Sequence, residues 1–260
     1  MRKFVILWLF AAGTLTAETG RDAWLRYPAS ASLPRVVAVA GDSPLLESAR
    51  REILRAMTGA RAVSGVPEAS AVVLGTVPDL PAAWRLTEKL PADGFQLKTV
   101  RAGKAAYTVV TASNARGVLY GTFALLRKIQ LGKPVDRLDE TEVPYAPVRW
   151  VNEWNNLDGS IERGYGGRSI FWENGHVRDD LSRVNDYGRL LASLGINGAT
   201  INNVNADRRA ISAEFLPQVA RIAAALRLWG VQIGLAVDFG SPKTLGGLDT
   251  FDPLDPQVVA

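Results

Sequence analysis

The first half of the chain mixes short apolar runs with segments in which apolar residues recur every three or four positions. The runs predict strands and the wider spacing predicts helices. The elements expected here are strands at 35–40, 71–77, 94–100 and 105–111 and helices at 44–58 and 114–131. Gly117 and Gly121 share one face of the second helix, which predicts its close packing against a sheet. This order of elements predicts an α/β or α+β domain over residues 18–132.

A regular alternation of predicted strands and helices begins after a proline-rich stretch. Three prolines and several charged residues between positions 133 and 147 predict a linker. Beyond it we expect a long glycine-rich loop at 155–178, strands at 148–154, 198–204 and 231–238, helices at 179–194 and 215–229, and a further helix starting at 255–256. Strands that alternate with helices predict a parallel sheet with right-handed crossovers.

Polar residues gather where each of these three strands is expected to end, at 152–156, at 202–205 and at Asp238. In a (β/α)8 barrel the carboxyl ends of the strands build the active site, which favours a shared pocket here. The alternative is that asparagine and aspartate merely terminate the strands. The chain carries no G-x-G-x-x-G after the first strand and no P-loop, so a nucleotide site is not indicated.

The residue types at these strand ends suit a sugar. An indole stacks on the apolar face of a pyranose, while amide, carboxylate and guanidinium groups bond its hydroxyls. A glycosidase also needs two carboxyl groups that flank the scissile bond. The candidates, none distinguished by its spacing, are Glu153, Asp158, Glu162, Glu173 and Asp238.

The amino-acid composition excludes several other kinds of functional site. The 260 residues include no cysteine and a single histidine, His176. Disulfide scaffolds, cysteine zinc sites, iron–sulfur clusters, thiol nucleophiles and multi-histidine metal sites are therefore excluded. The net charge is +4, but residues 149–260 carry 11 basic against 13 acidic residues, and no run of five like charges occurs. A nucleic-acid partner is not expected, because a binding face needs clustered positive charge.

The N-terminus has the pattern of a secretory signal. Arg2 and Lys3 precede an apolar stretch from Phe4 to Leu15, and Ala17 is a small residue suited to cleavage. We therefore expect residues 1–17 to be a signal peptide and the protein to be secreted or periplasmic, with no other membrane contact. An uncleaved anchor and a buried N-terminal strand or helix are the alternatives.

Two segments resemble a known family. Residues 149–173, RWVNEWNNLDGSIERGYGGRSIFWE, resemble the signature of the bacterial and fungal α-glucuronidases of glycoside hydrolase family 67. Residues 195–206, GINGATINNVNA, resemble the second barrel strand of the same family. The resemblance implies an N-terminal domain of the hexosaminidase-accessory kind, followed at residues 148–260 by the first three βα units of a (β/α)8 barrel, which is incomplete.

The resemblance also implies a reaction. The family removes α-1,2-linked glucuronic acid, or its 4-O-methyl ether, from xylo-oligosaccharides with inversion and without a metal or other cofactor. Xylan-derived aldouronic acids are therefore the expected partners, and a homodimer of the full-length protein is left open.

The site residues that the resemblance implies bind the substrate. Trp154 is expected to pack on the uronic acid ring and Val204 to lie near the 4-O-methyl group. Asn203, Asn155 and Asp158 are expected to complete the sugar pocket. The family usually has Asp at the position of Asn155, which leaves the role of that residue open.

No catalytic residue is assigned. The resemblance puts the family's catalytic carboxylates in later strands, beyond Ala260. Two other hypotheses remain: a non-catalytic carbohydrate-binding protein, and a fragment of a hexosaminidase-like glycosidase.

Overall fold

The computed structural model describes Tyr27 and residues 33–259. The predicted signal peptide at 1–17 lies outside these residues. Within the described part of the chain, no helix has the length and apolar character needed to cross a membrane. Two sheets organise the fold, one before and one after residue 148.

The first sheet has six strands in the order β2-β1-β3-β5-β4-β6. Their bounds are β1 Val36–Ala40, β2 Arg61–Ser64, β3 Ala71–Thr76, β4 Phe95–Ala102, β5 Ala105–Ala112 and β6 Asp139–Glu142. Strands β2, β1, β3 and β5 run parallel, whereas β4 pairs antiparallel with both β5 and β6. The expected α/β character of this half is confirmed.

Two helices pack on this sheet, α1 (Pro44–Ala56) and α2 (Ala115–Gln130). The Asn114 side chain caps α2 by accepting a hydrogen bond of 2.7 Å from the backbone N–H of Gly117. A Cβ atom on Gly121 would lie 2.8 Å from Val110 of β5, so only glycine permits this approach. The predicted close packing at these glycines is thereby confirmed.

Strand β6 lies inside the stretch predicted as a linker. Four polar residues, DETE, form this strand, and it pairs with β4 from Lys98↔Asp139 to Phe95↔Glu142. The N-terminal sheet therefore extends to residue 142, ten residues past the expected boundary at 132. The apolar signal that predicts strands is missing here, because this edge strand is held by backbone pairing and by polar contacts such as the ion pair of Glu140 with Lys128 at 2.7 Å.

The second sheet has three parallel strands in the order β11-β10-β7. A separate hairpin of β8 and β9 lies in the loop after β7, where no regular structure was expected. The remaining elements are β7 Trp150–Asn152, β8 Trp172–Glu173, β9 His176–Val177, α3 Ser182–Ser193, β10 Gly198–Thr200, α4 Leu216–Arg227, β11 Gln232–Gly234, α5 Ser241–Thr244 and α6 Pro256–Val259. Each parallel strand is shorter than predicted, because the polar residues that follow it turn into loops.

The indole of Trp150 crosses the face of the second sheet. A Cβ atom on Gly198 of β10 would lie 2.0 Å from its Cε2 atom, and one on Gly234 of β11 would lie 2.7 Å from its Cζ3 atom. Both glycines therefore make room for the ring. Trp150 remains 40% exposed on its outer side.

A buried carboxylate joins the two halves of the chain. Asp93, which precedes β4, accepts hydrogen bonds of 2.8 Å from Arg116 of α2 and of 2.8 Å from Arg149, the residue before β7. Arg116 also donates to the carbonyl of Gly230, two residues before β11, at 3.3 Å. Burial alone would raise the pKa of Asp93, but the two guanidinium groups outweigh it and hold the pKa below its usual value.

A second buried carboxylate strengthens the same interface. Glu52 of α1 accepts a bidentate contact from Arg189 of α3, with distances of 3.0 and 2.9 Å from Nε, and a hydrogen bond from the Tyr27 hydroxyl. The Ser48 hydroxyl donates to the carbonyl of Leu228 at 2.6 Å. One hydrophobic core also runs through both halves, and α1 contacts α2, α2 contacts α3 and α3 contacts α4.

We expect the Asp93→Asn substitution to destabilise the protein by about 3 kcal/mol near neutral pH, because both arginines lose their buried counterion. In the wild type this contribution is present above about pH 4, the pKa of an unfolded aspartate. It falls as the pH drops towards the lower pKa of the folded state, since the unfolded chain then binds the proton first. Urea unfolding of both proteins between about pH 7 and 3 measures the difference.

The matched control is Asp136→Asn, which removes an exposed carboxylate near β6. It should change stability by less than about 0.5 kcal/mol. A stability difference between wild type and Asp93→Asn that stays constant down to pH 3 would contradict a carboxylate held ionised by this network.

Candidate functional site

The loops that follow β7 and β10 meet at the carboxyl edge of the second sheet. Parallel neighbours end at the same edge, so the residues after each strand come together. The backbone N–H of Asn203 donates to the carbonyl of Asn155 at 2.7 Å, and the N–H of Glu153 donates to the carbonyl of Thr200 at 2.8 Å. The polar strand ends that the pattern predicted are therefore in contact.

A cavity of about 350 Å³ opens between these loops. Its wall is rich in side-chain amides and carries three charged groups. The polar residues that line it are Asn155, Asn156, Asp158, Asn202, Asn203, Asn205, Asp207 and Arg209. Asn155 and Asn203 are buried, whereas Asp158 is exposed. Amides both donate and accept, so this wall suits a ligand rich in hydroxyl groups.

The five predicted site residues separate into two groups. Asn155, Asp158 and Asn203 line the cavity. Trp154 and Val204 precede and follow two of these residues in the sequence, but they do not line it. Their side chains are 41% and 52% exposed on the adjoining surface. An exposed indole beside an amide-lined cavity leaves its ring available to a ligand.

Asn202 connects two strand ends. Its amide nitrogen donates to the carbonyl of Ala236 at 3.0 Å, and its oxygen accepts from the N–H of Ala236 at 2.7 Å. The side chain thus replaces the backbone pairing that stops when β11 ends at Gly234. This holds the loop after β11 against the loop after β10 and fixes one side of the cavity.

The charged groups of the cavity wall have hydrogen-bond partners within the protein. Asp158 accepts from the N–H and hydroxyl of Ser160 at 2.8 and 2.7 Å, and these bonds lower its pKa. Arg209 holds Asp207 through two nitrogens, at 3.1 Å from Nε and 2.6 Å from Nη2, and lowers the pKa of Asp207. Sequence reasoning missed this pair because residues 207–209 lie beyond the predicted strand end.

The other candidate carboxylates are also engaged, Glu162 by a hydrogen bond with Tyr165. Glu153 accepts a hydrogen bond from the Tyr187 hydroxyl of α3, and Glu173 pairs with Arg178 at 2.9 Å. Asp238 accepts from Arg208 at 2.9 Å and from the N–H of Gly240 at 2.7 Å, and its pKa is lowered. A general acid for glycoside cleavage needs a raised pKa. Neither Asp158 nor Asp238 meets that requirement.

Sequence comparison places the chain in a family. The model of the glycosyl hydrolase family 67 N-terminus matches residues 23–125, and the model of the glycosyl hydrolase family 67 middle domain matches residues 128–260. The chain belongs to glycosyl hydrolase family 67. The resemblance found in residues 149–173 and 195–206 is thereby confirmed.

Relatives within family 67 are much longer than this chain. Alpha-glucuronidase A of Emericella nidulans is 40% identical over 290 residues, which cover 100% of this chain and 33% of that protein. Alpha-glucuronidase of Hypocrea jecorina is 40% identical over 288 residues, with the same shares. This family 67 chain thus spans about a third of the length of the curated relatives it matches.

A similar fold is found among solved glycosidase structures. One of them is a family GH115 4-O-methyl-alpha-glucuronidase with specificity for decorated arabinogalactans. It superposes with a TM-score of 0.52 at 16% identity, and the match covers 86% of this chain and 32% of that one. The likeness concerns the arrangement of the two mixed α/β units of this family 67 chain.

We expect Asn202→Ala to destabilise the fold by about 2 kcal/mol, because the N–H and carbonyl of Ala236 lose their partner together. Thermal or urea unfolding measures this loss. Asn205→Ala is the matched control, since Asn205 lines the same cavity but is exposed, and it should stay within about 0.5 kcal/mol of the wild type. Equal stability of both variants would show that Asn202 does not hold the two loops together.

Proposed function

We propose that this chain is part of an α-glucuronidase that releases glucuronic acid, or its 4-O-methyl ether, from xylo-oligosaccharides. The observation that carries the proposal is the pair of adjacent family 67 matches over residues 23–125 and 128–260. The names of the relatives support the activity, and the amide-lined cavity at the strand ends supports a sugar as ligand.

The second sheet is proposed to be the beginning of a (β/α)8 barrel. Its strands lie in sequence order and run parallel, and helices α3 and α4 connect them, as in the first βα units of such a barrel. The first sheet and its helices are proposed to be a domain of the hexosaminidase-accessory kind.

Substrate binding is assigned to the residues at the strand ends. Trp154 offers its exposed ring to the uronic acid, and Val204 offers an apolar contact to the 4-O-methyl group. Asn155, Asn203 and Asp158 bond the hydroxyls from the cavity wall. The chemistry is proposed to be inverting, with a general acid and a general base supplied by residues beyond Ala260.

The protein is proposed to act outside the cytoplasm. The charged and then apolar pattern of residues 2–15 supports a signal peptide that ends at Ala17.

The activity assay incubates two proteins with aldouronic acids and follows the release of free glucuronic acid. We expect none from the 260-residue chain, which lacks the proposed acid and base. We expect release from a chain that is extended at its C-terminus to the length of the relatives. Turnover by the short chain would contradict the assignment of catalysis to later residues, and inactivity of a folded long chain would contradict the activity itself.

A non-catalytic sugar-binding role is the second candidate, favoured by the engagement of the nearby carboxylates in bonds within the protein.

Calorimetry with an aldouronic acid tests binding in either case. We expect Trp154→Ala to weaken binding about tenfold through loss of ring stacking. Tyr165→Ala, which removes an exposed aromatic side chain from the same loop, is the control and should bind like the wild type. Saturable binding without turnover by the long chain would favour this second candidate.

A further inference from the structure

A second cavity is lined by residues of the β8–β9 hairpin, the loop before it and the start of α3. It has a volume of about 400 Å³. Three arginines line it, together with two carboxylates and an amide: Arg168, Arg178, Arg183, Glu173, Asp180 and Asn174. Of the residues singled out in the sequence, only the candidate carboxylate Glu173 lines it, and it shares no lining residue with the amide-lined cavity.

Positive charge in this cavity exceeds the negative charge available to balance it. Arg178 is paired with Glu173 at 2.9 Å. Asp180 accepts from the N–H and the hydroxyl of Ser182, at 2.8 and 3.0 Å, and so it is occupied at the start of α3. Among the described residues, neither Arg168 nor Arg183 has a carboxylate within 4 Å. Arg168 and Arg183 therefore line the cavity without a salt bridge among the described residues, although the charge of Arg168 also acts on the Asp158 carboxylate.

The cavity is formed by a rigid stretch of the chain. The Ser169 hydroxyl accepts from the N–H groups of Phe171 and Trp172, each at 3.1 Å. Trp172 is fully buried, and its indole N–H donates to the carbonyl of Ile201 at 2.9 Å. The backbone N–H of Arg178 donates to the carbonyl of Phe171 at 2.9 Å. The backbone that carries Arg168 and Arg178 is therefore ordered before any ligand arrives, which lowers the entropic cost of binding.

Guanidinium groups select the class of ligand. Their planar forks match carboxylate, sulfate and phosphate groups and give charge-assisted hydrogen bonds. Among these anions the position of the cavity favours a carboxylate on a sugar. The backbone N–H of Asn174, from the wall of this cavity, donates at 3.3 Å to the carbonyl of Asp158, from the wall of the amide-lined cavity. One loop thus presents hydroxyl-binding amides on one side and cations on the other.

We infer that the arginine-lined cavity is a subsite for the carboxylate of a uronic acid, held by Arg168 and Arg183. The inference rests on the proposed function, since it takes an acidic saccharide as the ligand. The carboxylate can belong to free glucuronate, the proposed product, or to a second uronic acid residue on the same oligosaccharide.

The test follows the Nε–H signals of arginine side chains by ¹⁵N NMR during titration of the 260-residue chain with D-glucuronate. We expect the signals of Arg168 and Arg183 to shift in a saturable manner. The double substitution of Arg168→Gln and Arg183→Gln should weaken glucuronate binding at this cavity about tenfold or more, because charge-assisted hydrogen bonds are lost. D-glucose, which is neutral, should not shift either signal.

Arg163→Gln is the matched control, because Arg163 is an exposed arginine of the same loop that does not line the cavity. It should leave binding unchanged. Sodium sulfate provides a second comparison. Displacement of glucuronate by sulfate at equal concentration, or equal weakening by Arg163→Gln, would overturn the inference by revealing only a general attraction for anions.

The two sources of the carboxylate are separated by an aldouronic acid that carries two uronic acid residues. If the second residue is the ligand, this compound should bind more tightly than one with a single uronic acid, and the double substitution should abolish the advantage. If free glucuronate is the ligand, both compounds should bind alike while glucuronate still shifts Arg168 and Arg183.

Failure of the inference is distinguishable from failure of the proposed function. Trp154→Ala perturbs the proposed sugar site and leaves the arginine-lined cavity intact. If Trp154→Ala weakens aldouronic acid binding while glucuronate leaves the signals of Arg168 and Arg183 unmoved, the inference fails and the proposed function stands.

Discussion

The ion network around Asp93 sets the relation between the two sheets. One buried carboxylate binds an arginine from the N-terminal helix layer and another from the residue that precedes β7. Arg149 in turn packs its guanidinium over the ring of Tyr120, 5.5 Å from its centroid, and burial raises the pKa of that tyrosine to about 12. Because Arg116 also reaches the carbonyl before β11, the network fixes the starting points of two of the three parallel strands. The positions of the site residues at the carboxyl ends of these strands depend on the Asp93 network.

Burial decides which parts of the fold were predictable. Helix α1 was predicted almost to the residue, because Pro44 and Gly59 mark its ends and its apolar residues face the core. Strand β2 was missed, since its residues are largely exposed and Val63 alone among them packs against the core. The same cause hid β6 in the predicted linker. A hydrophobic pattern reports burial, and a strand at the edge of a sheet has little of it.

The sequence predicted those site residues that directly follow a predicted strand. The amides at 155 and 203 follow two neighbouring strands, and parallel pairing brings them together. Nothing in the local pattern marks the ion pair of Asp207 with Arg209, because it reaches the cavity through a turn after the strand. The arginine-lined cavity was equally hidden. Its residues come from the hairpin loop and the start of α3, which only the folded chain brings together.

The position of Trp150 has a consequence for the alignment of the second sheet. Its ring rests on the first residue of β10 and the last residue of β11, and both are glycines. Sliding either strand by one residue would bring a side chain under the indole, where there is no room for a Cβ atom. The Trp150 indole therefore helps to fix the register of these strands. Three-residue strands form few backbone hydrogen bonds, and this ring, together with the Asn202 side chain, keeps their polar ends aligned.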